Sequence, residues 1–135
     1  MAANTSPIFP LVVQTSAATI VNADGTAEKT LVTAGANGTR IDAVSITSTD
    51  SAAVTLAVRV NDGTTSYAVG EIAVPAGSGT NGSAPAIQGL SAGSLPWLDA
   101  SGSLFLKAGW SLRVAAKAAI TSTKTVTLVA FSGDY

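Results

Sequence analysis

Four large apolar residues occupy every second position of one short segment: Val54, Leu56, Val58 and Val60. Strict alternation places all four on one face of a strand. The segment 61–64, Asn-Asp-Gly-Thr, then supplies the residue types that a tight reversal needs, and the chain returns through Tyr67 to Val74. The pattern therefore predicts a β-hairpin with one dry face, which a second layer of structure has to cover.

Further strands are predicted on both sides of this hairpin. They cover residues 11–14 and 17–22 (two short strands, or one strand with a bulge), then 28–34, 40–46, a second hairpin-like unit at 104–114, and 126–131. A helix over 112–120 is the competing interpretation, but alternation from Trp110 to Ala116 favours a strand. About eight strands separated by turn residues predict one all-β domain over residues 11–135, a β-sandwich or jelly roll.

Residues 1–10 are predicted to form an extended N-terminal arm. Prolines flank the apolar pair Ile8-Phe9, and proline fixes φ and removes an amide donor, so this segment is unsuited to a central strand. Two interpretations stay open: a tether that packs into a neighbouring subunit, or a strap over the domain's own core. The candidate interface residues are Pro7, Ile8, Phe9, Pro10 and Trp97.

A glycine-rich stretch between Pro75 and Pro96 predicts a long loop with one short strand or helical turn inside it. Loops beyond about 12–15 residues are uncommon in compact domains and often make contacts. Trp97 follows the loop, and its indole either plugs one end of the core, which we favour, or forms a stacking platform for a sugar or a partner's side chain. The stretch 77–82 matches G-x-G-x-x-G, but no helical periodicity follows, so a dinucleotide site is not indicated.

Acidic residues are few and scattered. Alternation places Asp42 on the same strand face as Val44 and Ile46, where we expect its carboxylate to pair with Arg40 or cap a loop amide. Calcium at a loop stays an open alternative through Asp62, Asp99 or Asp134, although no D-x-D-x-D-G pattern is present.

The composition excludes several classes of chemistry. The chain has no histidine and no cysteine, which removes the commonest general base and all thiolate chemistry. We therefore expect no enzyme, no catalytic residues, no cofactor and no metal site. The net charge is −1 with no basic stripe, and no apolar run approaches the ~20 residues of a membrane span, so neither nucleic acid nor membrane is an expected partner.

Low charge points to another kind of partner. Charged residues make up 11% of the chain, against roughly 25% in ordinary soluble domains. A surface so poor in charge has little protection against association, so contact with other protein is expected.

Three segments resemble short structural proteins of tailed-bacteriophage virions: residues 3–9 (ANTSPIF), 33–42 (TAGANGTRID) and 133–135 (GDY). The resemblance implies a small β-rich subunit of the particle, specifically a head decoration (cement) protein that binds the major capsid protein lattice. It also implies a homotrimer on the particle, and a virion location after synthesis in the host cytoplasm.

Two alternatives remain from the sequence. The first is a tail, fibre or baseplate component that uses the same fold at another place in the virion. The second is a carbohydrate-binding module with Trp97, Trp110 or Tyr67 as stacking platforms.

Overall fold

A computed structural model describes residues 9–135 of the chain. This part contains nine strands, one 3-10 turn (Asn22–Asp24) and no α-helix. The strands are β1 (Val12–Val21), β2 (Lys29–Thr33), β3 (Thr39–Ser48), β4 (Val54–Asn61), β5 (Ser66–Val74), β6 (Ile87–Gln88), β7 (Leu104–Leu106), β8 (Ser111–Ala116) and β9 (Thr125–Asp134). Within the same residues, no helix is long and apolar enough to cross a membrane.

The strands form two antiparallel sheets. The first has the order β1-β9-β3-β6, with β7 also paired to β3, and the second has the order β2-β8-β4-β5. One hydrophobic core draws side chains from both sheets, including Ile20, Ile41, Ile46 and Leu128 from the first and Leu56, Leu112 and Val114 from the second. The predicted all-β class is confirmed, and the arrangement is compatible with a sandwich.

The central hairpin forms as predicted. β4 pairs with β5 from Val54↔Val74 to Asn61↔Ser66. Asp62 stabilises the reversal because its Oδ1 accepts the amides of Thr64 (2.9 Å) and Thr65 (2.8 Å). The alternating apolar residues of β4 point inward and become part of the shared core.

The predicted hairpin over residues 104–114 is wrong. β7 pairs with β3 in the first sheet, whereas β8 lies between β2 and β4 in the second. Between them, a turn in which the Trp110 amide donates to the Lys107 carbonyl at 3.0 Å takes the chain from one sheet to the other. Alternation reports which face of a strand is buried, but it does not report the strand's partner.

The predicted position of Asp42 is also wrong. The pairing of β3 with β9 shifts register between Ile41 and Ala43, and this irregularity turns Asp42 outward while Val44 stays buried. The predicted pairing with Arg40 is confirmed, with Nε 2.9 Å from Asp42 Oδ1.

The N-terminal strand and the strand count differ slightly from expectation. β1 is one continuous strand, paired with β9 without a register shift. The described part of the chain has nine strands rather than about eight, because the segment between β5 and β8 contributes two very short strands. The short strand expected in the glycine-rich loop is β6.

Candidate interaction surfaces

The outer side of the β1–β9–β3 sheet is free of charge over most of its length. Side chains alternate across a strand, so the residues between the core-facing positions point outward. These residues are Thr15, Ala17 and Thr19 in β1, Thr125, Thr127, Val129 and Phe131 in β9, and Ala43, Ser45 and Thr47 in β3. We call this set the uncharged face. The charged residues of its three strands, Arg40, Asp42 and Asp134, all lie at one end.

The outer side of the other sheet is charged. Glu28 Oε1 lies 2.6 Å from Arg59 Nη1, and Arg113 Nη1 lies 3.7 Å from Glu28 Oε2. The Ser66 hydroxyl donates to the same carboxylate at 2.7 Å. The hydrogen bond from Ser66, with that from Arg59, lowers the pKa of Glu28. Since ion pairs of this kind suit a hydrated surface, the two sheets present surfaces of different character.

An apolar groove of about 480 Å³ lies where β4 and β5 of one sheet approach β7 of the other. It is lined by Val60, Val69, Trp97, Leu104, Phe105, Leu106, Lys107 and Trp110. We call it the aromatic groove. Its volume is within the range of ligand pockets, about 300–1,000 Å³, and among residues 9–135 Lys107 is the single charged residue in its lining.

The long loop is held against β5 to form one wall of the groove. The indole N–H of Trp97 donates to the Val69 carbonyl at 2.7 Å. The fully buried side chain of Leu95 lies against Gly70, where any Cβ would collide with Leu95 Cδ2. Any other residue at this point of β5 would force the Leu95 side chain to move.

Trp97 does not plug the core, so the favoured interpretation of this residue is wrong. Its side chain is 47% exposed, and the neighbouring Leu95 and Leu98 are buried instead. Trp97 shares the groove lining with Trp110, on which Tyr67 stacks with ring centroids 6.1 Å apart. The structure thus brings together the three aromatic residues named as stacking platforms.

The groove residue Phe105 was not predicted from the sequence. It is 61% exposed at the edge of the first sheet, although the alternation rules gave it no role. A phenylalanine between two aliphatic residues, in Leu104-Phe105-Leu106, is the one local sequence signal that could have marked it.

The described end of the arm lies beside β9. Pro10 packs against Gly133, where a Cβ would lie 2.6 Å from Pro10 Cβ. Phe9 is 68% exposed and Val13 is 89% exposed, so apolar side chains stand unburied at this end of the uncharged face. The candidate interface residues Pro7 and Ile8 lie outside the described residues.

The carboxylates considered for calcium are engaged within the fold. Amides of Thr65 and Thr64 lower the pKa of Asp62 to about 2. Asp99 accepts the Ser101 hydroxyl at 2.6 Å, and Asp134 accepts hydrogen bonds from Thr39 and Gln14. In residues 9–135 no group of three His, Cys, Asp or Glu side chains could hold a metal ion.

Comparison with other proteins adds no family assignment. No protein-family model matches the chain, and no curated protein matches it. The function has to be inferred from the uncharged face and the aromatic groove.

Proposed function

We propose that this chain is a structural protein of a tailed-bacteriophage virion, and specifically a head decoration (cement) protein. It would bind the outer surface of the assembled head and stabilise it by bridging major capsid subunits. The uncharged face carries the proposal, because depletion of charge with an exposed aromatic residue is typical of the buried centre of an interface. Phe131, 47% exposed on β9, is that aromatic residue.

The order of the strands supports a jelly roll. If β6 and β7 are counted as one interrupted strand, the first strand pairs with the last, the second with the next to last, and the third with the third from last. β4 and β5 then form the closed end of a long hairpin that is rolled up on itself. Jelly rolls occur in viral capsid proteins and in lectins, so this topology is shared by the two leading functions.

The size of the uncharged face supports attachment as an oligomer. Ten-residue strands are about 33 Å long, and three strands are about 14 Å wide. The resulting area of roughly 460 Å² is well below the ~800 Å² per partner of a stable interface. Several linked copies would bind more tightly than one copy, which agrees with the homotrimer that the resemblance implies. The exposed apolar residues of the arm would add further buried area.

A charge placed on the uncharged face should weaken attachment. Thr127→Glu puts a carboxylate at the centre of this face on β9, and Thr55→Glu puts the same group on the outer side of the opposite sheet. Burial of an unpaired carboxylate costs several kcal/mol. We expect Thr127→Glu to lower occupancy on particles at least about tenfold, and Thr55→Glu to leave it unchanged.

The arm provides a second test of the same attachment. Deletion of residues 2–10 should leave a folded domain that binds particles poorly, as measured by co-sedimentation with heads that lack the protein. Equal binding of the two threonine variants would overturn the role of the uncharged face. Unchanged binding after the deletion would overturn the role of Phe9 and its neighbours.

A tail, fibre or baseplate location would use the same surfaces on another lattice. The number of copies per particle separates these locations from the head, because a decoration protein covers the whole shell.

Carbohydrate binding is the second candidate function, and the aromatic groove favours it. Trp97 and Trp110 line one groove, and Tyr67 stacks on Trp110, so aromatic faces for sugar stacking are close together. The groove ranks second because, among residues 9–135, its lining offers one charged side chain, Lys107, and no hydroxyl side chain. Saturable quenching of tryptophan fluorescence by oligosaccharides would support this function, and no change at millimolar sugar would remove it.

A further inference from the structure

The aromatic groove has the chemistry of a binding site for an extended, proline-containing segment. Its lining is apolar except for Lys107, and Phe105 and Trp97 remain open to solvent. Extended segments that contain proline bind aromatic-lined grooves because proline has already restricted their conformation. Residues 7–10 of this chain, Pro-Ile-Phe-Pro, are such a segment, and residues 2–10 contain no charge.

We propose that residues 7–9 of one copy, with Ile8 and Phe9 as the apolar anchors, bind in the aromatic groove of a second copy. Pro10 would stay at the base of the arm, where its contact with Gly133 fixes the start of the segment. The proposal concerns contacts between copies of this chain, and it does not depend on which particle the protein attaches to.

The position of Phe9 argues against the same chain as the source of the segment. Phe9 is 68% exposed and is not part of the groove lining of its own chain. Gly133, Arg40 and Phe105 lie in register across three strands, so the base of the arm and the groove are about 10 Å apart, a distance that three extended residues can span.

A charged barrier lies on the path within one chain. To reach its own groove, the segment would have to cover Arg40, whose Nε lies 2.9 Å from Asp42 Oδ1. Covering an ion pair with apolar side chains removes its hydration at a substantial cost. This cost argues against the chain's own arm as the occupant of the groove.

Arm-to-groove binding joins two different surfaces of the same protein. Such a heterologous contact is repeated from copy to copy, and it closes into a ring when the rotation between neighbouring copies is a whole fraction of a full turn. A ring of three would match the homotrimer in the proposed function.

The test uses two full-length variants that damage opposite halves of the contact. Ile8→Asp places a charge in the arm, and Phe105→Asp places one on an exposed side chain of the groove. Phe105 is outside the core, and circular dichroism and thermal melts would verify that both variants fold. Sedimentation velocity over a concentration series measures association of the original chain, each variant alone and an equimolar mixture.

The proposal predicts association of the original chain and at least about tenfold weaker association of each variant. Mixing the variants should restore a complex of two copies only, because one intact arm and one intact groove remain. A monomer at all concentrations, association unaffected by Phe105→Asp, or a mixture that stays monomeric would overturn the proposal. Binding within one chain does not depend on protein concentration. If Ile8→Asp shifts the tryptophan emission by the same amount at every concentration, the groove is occupied by the chain's own arm instead. Every measurement is made without particles, so a failure here leaves attachment to the head as a separate question.

Discussion

Replacement of Asp50 by alanine is expected to destabilise the domain by about 3 kcal/mol. Asp50 is only 2% exposed and lies near the start of the connection from β3 to β4. Its Oδ1 accepts the Ala52 amide at 3.0 Å and the Thr121 hydroxyl at 2.8 Å, and its Oδ2 accepts the Thr121 amide at 3.0 Å. One carboxylate therefore ties together two connections that are far apart in the sequence.

The magnitude follows from these three bonds. Each hydrogen bond to a charged group contributes roughly 1.5–3 kcal/mol when it is buried. Thr121 and Ala52 are themselves exposed, so water can hydrogen-bond to their donors when the carboxylate is removed. We therefore expect a loss of about half of the summed contribution of the three hydrogen bonds. For a domain of 135 residues, about 3 kcal/mol lowers Tm by roughly 10 °C.

The effect should also depend on pH. The Thr121 and Ala52 amides lower the pKa of Asp50 from its ordinary value of 3.8. A carboxyl whose pKa is lower in the folded state stabilises the fold above the ordinary value, and this contribution is lost as the pH falls through the lowered pKa. The difference in Tm between the original chain and Asp50→Ala should therefore have its largest value at pH 7 and be smaller near pH 2.

Thermal unfolding followed by circular dichroism at both pH values is the assay. Asp99→Ala is the control, since Asp99 accepts hydrogen bonds in its own exposed turn, from Ser101 and Gly102. A much smaller loss of Tm is expected for the control. A loss for Asp50→Ala that equals the control, or a loss that stays constant down to pH 2, would refute the role assigned to this carboxylate.

Two other substitutions test the outer face of the second sheet and the groove wall. Glu28→Gln should lower the free energy of unfolding by about 1 kcal/mol, because Arg59 and Arg113 lie directly opposite each other and lose the negative charge between them. Urea unfolding measures this change, and equal urea midpoints for the variant and the original chain would contradict it. Gly70→Ala should cost about 2 kcal/mol and shift tryptophan emission, because its Cβ collides with the buried leucine of the wall. Gly93→Ala, where a Cβ meets only one side-chain atom at 3.8 Å, is the matched control.

Local features of the fold were predictable from the sequence. The alternation in β4 and the Asp62-Gly63 turn predict the central hairpin, because strand period and turn chemistry act over a few residues. Pairing over long distances was not predictable: the sequence of β7 contains no sign that its partner is β3 rather than β8.

The candidate site was predicted only in part. Trp97, Trp110 and Tyr67 were named only as alternative stacking platforms, with burial favoured for Trp97, and the groove that unites them needs Val60 from β4 and Phe105 from β7. Residues so far apart meet only after the sheets have assembled. The uncharged face was likewise hidden, since the sequence reveals low charge overall but not that the charge is concentrated on the opposite sheet.

The proposal of a decoration protein is tested most directly by the number of copies per virion. Quantitative mass spectrometry of particles purified from the host that makes this chain would measure its ratio to the major shell protein. A decoration protein is expected at a ratio of roughly one-third or more, since it repeats with the symmetry of the shell. Complete absence from the particles, or a few copies in each, would contradict the assignment to the head surface.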